Sequence, residues 1–149
     1  MEIEQLRQLL ELVSQGDLSV EAAQKELAAE VAVRVEGVTL DLDRQRRCGF
    51  PEVIFGENKA AETIASTMQA QRDHGQPSLA TRVSADKAEI VTAMLEGVLY
   101  NEVARVLRWN LAGSQTISGR VLVISAGTSD LPVAAEAVET LIWMGVDYE

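Results

Sequence analysis

The chain opens with apolar residues at helical spacing. Ile3, Leu6, Leu9, Leu10 and Val13 fall at helical intervals with polar residues between them, and Gly16 ends the run. Ser19 is placed to cap a second helix, with Glu21 in its first turn and Leu27 on its apolar side. From Val31 to Val38 the alternation of Val31, Val33 and Val35 fits either an extension of that helix or the start of a strand. Val38, Leu40 and Leu42 then alternate with Thr39, Asp41 and Asp43, the period of a half-buried strand. After an arginine-rich stretch and the Gly49-Phe50-Pro51 break, Val53-Ile54-Phe55 reads as a short buried strand ended by Gly56. Lys59 to Arg72 reads as a helix with Ile64 and Met68 inward, and Leu79 to Val83 as another strand. Ser84 is the expected N-cap of a helix carrying Ile90, Ala93, Met94 and Leu95, which Gly97 ends. Leu99 to Trp109 is mixed but extended in character.

Gly113 to Gly119 is small and polar without periodicity, and reads as a linker. Beyond it Val121-Leu122-Val123-Ile124 is a continuous apolar run, the pattern of a parallel strand covered on both faces. A turn of small residues leads into a helix over Leu131 to Met144, with Pro132 in the first turn and Gly145 just past the end. Val146 to Glu149 starts a further strand. The pattern predicts an α/β protein: an N-terminal α/β domain over 1–113 and, over 120–149, the opening βα unit of a larger doubly wound domain with a parallel sheet. On this reading the last helix, with Leu141, Ile142 and Trp143, and both edges of the 121–124 strand lack the sheet that would cover them.

Composition changes the picture in three ways. A hydrophobic share of 47% with only 4% aromatics means an aliphatic core and argues against disorder. A formal net charge of −10 excludes a general binder of nucleic acid, though not of a single nucleotide. Much of the acid lies early, on Glu2, Glu4, Glu11, Asp17, Glu21, Glu26 and Glu30, as expected of a solvated helical face. The single cysteine, Cys48, excludes an internal disulfide and fits a reducing compartment. With no basic-then-apolar leader and no run of about 20 apolar residues, the expectation is a cytoplasmic protein with no membrane partner.

Two stretches could carry chemistry. Ser125-Ala-Gly-Thr-Ser-Asp130 follows a buried strand and precedes a helix, where small residues let a ligand approach and the helix N-terminus favours phosphate or carboxylate. Ser125, Gly127, Thr128, Ser129 and Asp130 are the candidate substrate-binding residues; a plain βα connection capped by Asp130 fits the spacing equally well. There is no Gly-Lys-Ser/Thr and no GxGxxG. The second stretch is Asp41-Leu-Asp-Arg-Gln-Arg-Arg-Cys-Gly-Phe-Pro-Glu52, where Arg44, Arg47 and Glu52, with Lys59 beyond, could gather near a substrate entrance or a domain interface. An intramolecular salt-bridge cluster is the commoner meaning of such a corner. Cys48 lies between Arg47 and Gly49, where guanidinium groups favour a thiolate, but isolated free cysteines are more often inert small hydrophobes. His74 is the sole histidine and reads as a solvated loop residue, so no structural zinc site is expected. Trp109 and Trp143 read as packing anchors.

The run Arg47-Cys-Gly-Phe-Pro-Glu-Val-Ile-Phe-Gly-Glu-Asn-Lys59 resembles the signature of the LarB family of nickel-pincer cofactor biosynthesis proteins. Leu40-Asp-Leu-Asp-Arg44, Ala80-Thr-Arg-Val-Ser84 and Val123-Ile-Ser-Ala-Gly-Thr-Ser-Asp-Leu-Pro-Val133 extend the resemblance over essentially the whole chain. The last segment is also similar to the opening of PurE-type aminoimidazole-ribonucleotide carboxylases. There Ser129-Asp130 match the family's Ser-Asp pair, while Ala126-Gly127 replace its Gly-Ser pair and with it a phosphate-holding serine. The resemblance implies a carboxylase and hydrolase acting on nicotinic acid adenine dinucleotide, with carbon dioxide or bicarbonate as co-substrate, no covalently bound cofactor, magnesium as a candidate ion, and a homo-oligomeric full-length protein. It implies a PurE-like, flavodoxin-like second domain, and a nucleophilic cysteine downstream of Glu149, so that this chain by itself would be inactive. A PurE-type enzyme of purine synthesis and a noncatalytic regulatory module remain the alternatives.

Overall fold

The computed structural model describes residues 3–30, 32–35, 38–110 and 117–149. Two helices, α1 (Ile3–Gln15) and α2 (Val20–Glu30), form an N-terminal hairpin. Ser19 caps α2 as expected, its Oγ accepting the Ala22 N–H at 3.1 Å. The ambiguous valine stretch forms strand β1 (Ala32–Val35), antiparallel to β2 (Val38–Asp41); residues 31, 36 and 37 lie outside the described residues. The arginine-rich segment coils into a short helix α3 (Arg44–Cys48), closed by Gly49 in the left-handed region at φ 85°.

The centre is a four-stranded mixed sheet of β3 (Ile54–Phe55), β4 (Ser78–Thr81), β5 (Leu99–Asn101) and β6 (Val106–Trp109), in the order β3-β4-β6-β5. β3 runs parallel to β4, and the crossover between them is α4 (Ala61–Asp73). β4 and β5 both pair antiparallel with β6, so the extended stretch after Gly97 is a hairpin. Helix α5 (Ala85–Met94) follows β4; Ser84 sits at its N-cap with extended backbone, but its side chain makes no capping bond.

Alternation along the strands assigns the two faces. Ala80 of β4 and Leu107 of β6 join Ile64, Met68 and Val91 in a core beneath α4 and α5. Their neighbours Leu79 and Val106 point the other way and pack with Ala104 and Trp143. Trp143 belongs to α6 (Leu131–Met144), so the last helix lies on the second face of this sheet. Every residue of β4 is buried, as a strand covered on both sides must be.

The strand expected over Val121 to Ile124 is displaced toward the N-terminus, whereas the one expected from Val146 is found. β7 spans Ile117–Val121, within what the sequence suggests is linker and first strand; residues 111–116 lie outside the described residues, and 122–126 are irregular. β7 pairs parallel with β8 (Val146–Tyr148) across α6, completing a βαβ unit, with Gly145 at φ 72° ending the helix. The apolar run is not covered on both faces, since Val121, Leu122 and Ile124 are exposed by 41, 62 and 81%. The physical reason is that this ladder has two strands only among the described residues, with α6 as the layer beside it. No helix among the described residues is long and apolar enough to cross a membrane.

Because Trp143 joins α6 to the sheet, Trp143→Ala should cost about 3 to 5 kcal/mol. Urea unfolding would show this as a lowered midpoint, and hydrogen exchange should show β6 and α6 losing protection together. A change below about 1 kcal/mol would mean that α6 contributes little to the sheet's stability.

Candidate functional site

The carboxyl ends of β3 and β4 lie side by side, the position where parallel strands present their loops to ligands. The loop after β3 is drawn against β4: the Gly56 N–H donates to Thr81 O at 2.8 Å. There is no room there for a side chain, since a Cβ on Gly56 would meet Val83 Cγ2 at 2.8 Å and Thr81 O at 3.0 Å. The Lys87 ammonium, from α5, donates to the carbonyls of Gly56 and Glu57 at 3.0 and 2.8 Å and pins the same loop.

After β4 the chain turns sharply at Arg82. Thr81 is held by Gly56, while Val83 is fully buried, donates its N–H to Arg105 O at 2.8 Å and accepts the Tyr100 hydroxyl on its carbonyl at 3.0 Å. Arg82 absorbs the turn in the left-handed region, at φ 57°. Arg105, which closes the 102–105 turn, is left-handed as well, at φ 54°. For an L residue other than glycine this conformation costs on the order of 1 kcal/mol, and such positions gather at functional sites.

The fixed backbone sends the Arg82 side chain across to α6, where its Nε lies 3.2 Å from Glu136 Oε2. Between them opens a groove of about 430 Å³, with Val121 and Val123 on one wall and Val133, Ala137 and Leu141 of α6 on another. One turn further along α6, Glu139 accepts hydrogen bonds from Asn101 Nδ2 at 2.9 Å and Arg108 Nε at 2.8 Å. Glu139 and Trp143 thus form the stripe by which α6 is registered on the sheet.

Val123 and Val133, which flank the β7–α6 connection in sequence, line this groove, whereas Ser125, Gly127, Thr128, Ser129 and Asp130 are not among its lining residues. Ser125 to Asp130 are all exposed, Thr128–Asp130 form a single 3-10 turn, and Gly127 is at φ 137°. Asp130 occupies the N-cap of α6 without making a side-chain capping bond.

The arginine-rich corner is organised differently. Arg47 pairs with Asp41 and, at 3.5 Å, with Asp43, while Arg46 bonds Asp43 at 2.7 Å. The Arg46 hydrogen bond, against desolvation and with the charges of Arg46 and Arg47, holds the Asp43 carboxyl below the usual range. Glu52 turns to β2 and accepts the Asp41 N–H at 3.1 Å. Arg44 is exposed and Lys59 half-buried, and no ion pair joins Arg44, Arg47, Glu52 and Lys59 to one another among the described residues. What ties this corner to the body is a pair of buried glutamines. Gln71 Nε2 donates to Glu52 O at 2.7 Å and Gln76 Nε2 to Leu42 O at 2.6 Å. Cys48 is exposed at the end of α3, and His74 is exposed at the end of α4, its Nδ1 2.7 Å from Ala70 O. No group of three His, Cys, Asp or Glu side chains among the described residues could hold a metal ion.

Arg82 and Glu136 escape sequence reasoning. Arg82 sits inside the Ala80-Thr-Arg-Val-Ser84 motif with nothing to mark its backbone, and the signal for Glu136 and Glu139 is two acids three residues apart on an otherwise apolar helix.

A mixed sheet with helices on both faces defines an α/β protein. Residues 32–111 match the LarB/PurE-like N-terminal domain, and the chain belongs to that family. It is also 32% identical over 150 residues to an uncharacterised protein of Methanocaldococcus jannaschii, a match covering 95% of this chain and 58% of the relative. The chain therefore spans somewhat over half the length of that relative. The family relates it to PurE-like carboxylases.

Two outcomes test this geometry. Gly56→Ala should destabilise the fold by about 1 to 3 kcal/mol, because backbone and core atoms would have to shift; an unchanged denaturation midpoint would show that the loop has slack. Burial raises the Tyr100 phenol above its ordinary value, nearby Glu102 adds to the rise and Arg105 opposes it. A raised folded-state value means the neutral phenol supports the fold below the ordinary value near 10, and that support fades as pH climbs through the folded value. Absorbance titration should show a late-ionising component that Tyr100→Phe removes.

Proposed function

We propose that the protein is a LarB-type carboxylase acting on nicotinic acid adenine dinucleotide. The reaction adds one carboxyl group, from carbon dioxide or bicarbonate, to the pyridinium ring and hydrolyses the phosphoanhydride, leaving a dicarboxylated mononucleotide and AMP. A thiolate adding to the electrophilic ring makes an enamine that forms the new carbon–carbon bond; loss of the ring proton and expulsion of the thiol restore aromaticity. The observation that supports this reading is the strand–small turn–helix connection of Ser125 to Asp130, which lies in sequence between the groove residues Val123 and Val133, in a chain of this family. Cys48, on α3, is not among the residues lining the groove, and no covalent role is given to it.

In this reading Ser129 and Asp130 bond the ribose or a phosphate, and the start of α6 favours negative charge. Ser125, Gly127 and Thr128 let the substrate approach the backbone. A magnesium ion, if the reaction uses one, would be held with the substrate's phosphates, since the described residues form no cage for it. The PurE-type alternative has less support because Ala126-Gly127 stand where a phosphate-holding serine would be.

The test is to give the complete protein nicotinic acid adenine dinucleotide with 13C-bicarbonate and follow products by mass spectrometry. One labelled carboxyl and stoichiometric AMP are expected, and Asp130→Ala should lower kcat/KM at least tenfold, about 1.4 kcal/mol. Turnover of aminoimidazole ribonucleotide instead would establish the PurE-type reading. No turnover of either would favour a noncatalytic module.

A further inference from the structure

We infer that Arg82 is an anion-binding, specificity-determining residue of the groove, and that Glu136 is its stand-in partner while the groove is empty. The inference rests on the reaction proposed above and assigns it a residue outside the β7–α6 connection.

Three observations converge on Arg82. Its backbone is left-handed at φ 57°, a conformation glycine would adopt at less cost, so the side chain is the feature that requires explanation. The strain is imposed from both sides, by the Gly56–Thr81 hydrogen bond and by the ties of Val83 to Arg105 and Tyr100, so the side chain leaves the sheet in a set direction. It projects into a groove whose other walls, Val121, Val123, Val133 and Leu141, are apolar and suit a flat heteroaromatic ring.

The contact with Glu136 is an exchangeable one. The two side chains are 44 and 25% exposed, and Arg82 Nε lies 3.2 Å from Glu136 Oε2. A guanidinium this exposed can exchange Glu136 for a phosphate or carboxylate gripped bidentately. By contrast, Arg108 and Glu139 on the same helix are only 15 and 12% exposed, and Asn101 also bonds that glutamate. Arg108–Glu139 thus fixes α6, whereas Arg82–Glu136 stands at the open groove. A dinucleotide carrying both phosphates and a ring carboxylate offers anions of the kind Arg82 can take.

The experiment measures binding of nicotinic acid adenine dinucleotide to the complete protein by calorimetry, for wild type, Arg82→Gln, Arg82→Gly and Glu136→Gln. Both Arg82 variants should weaken binding at least tenfold. Arg82→Gly should melt no lower than wild type, because it relieves the left-handed backbone, so its loss of binding would not be a loss of fold. Glu136→Gln should bind as well as wild type or better, since it frees the guanidinium. Comparison with nicotinamide adenine dinucleotide, which lacks the ring carboxylate, separates the anions. Equal losses for both ligands assign Arg82 to a phosphate, and a loss confined to the acid form assigns it to the carboxylate. Unchanged binding in both Arg82 variants would overturn the inference while leaving the proposed reaction standing. So would an equal loss in Glu136→Gln, which would make the ion pair merely structural. If wild type itself binds no dinucleotide, the proposed reaction fails and the inference with it.

Discussion

The structure depends on the pairing of β4, buried along its whole length, with β6, whose Val106 and Leu107 are buried on opposite faces. Their alternation separates two sets of apolar residues. Ala80 and Leu107 face α4 and α5, while Leu79 and Val106 face Trp143. A strand enclosed on both sides needs an apolar layer against each, and the second layer here comes from α6, far along the chain. The β4 turn, through Arg82, lines one groove together with Val121, Val123 and α6.

Polar contacts refine what packing establishes. The Arg108–Glu139 pair, with Asn101, sets how α6 lies along the hairpin β5–β6. It is mostly removed from water, so loss of either partner would leave an unpaired charge, which costs more than the pair contributes. The pairs around Arg46 and Arg47 are solvent-screened by comparison, and their service is to shape the α3 turn. The buried glutamines Gln71 and Gln76 reach back to the carbonyls of Glu52 and Leu42 and hold that turn to α4.

The groove combines an apolar interior with charge at its edge. Arg82 is held there by hydrogen bonds to its neighbours on either side, a way of directing a flexible side chain by constraining its backbone. The β7–α6 connection supplies the complementary feature, an exposed helix start without a side-chain cap. Such a pairing of one guanidinium with helix N–H groups suits a ligand carrying more than one anionic group.

Local pattern alone determined much of this protein. Helical spacing marks α1 and α4, Ser19 caps α2, the alternation of Leu40 and Leu42 marks β2, and Pro132 and Gly145 bracket α6, because these signals act within a few residues. The motifs Phe55-Gly56 and Ala80-Thr-Arg-Val-Ser84 were visible too, though not that they meet at one sheet edge. Tertiary structure alone decided that β7 starts at Ile117 and leaves Leu122 and Ile124 exposed, since an apolar run becomes a covered strand only where partners lie on its faces. It decided that Arg47 and Glu52 turn to β2 and its adjoining turn and not to a shared cluster with Arg44 and Lys59. It also decided that Arg82 is left-handed and faces Glu136, because that conformation is imposed by Gly56, Tyr100 and Arg105, residues brought to it only by the fold.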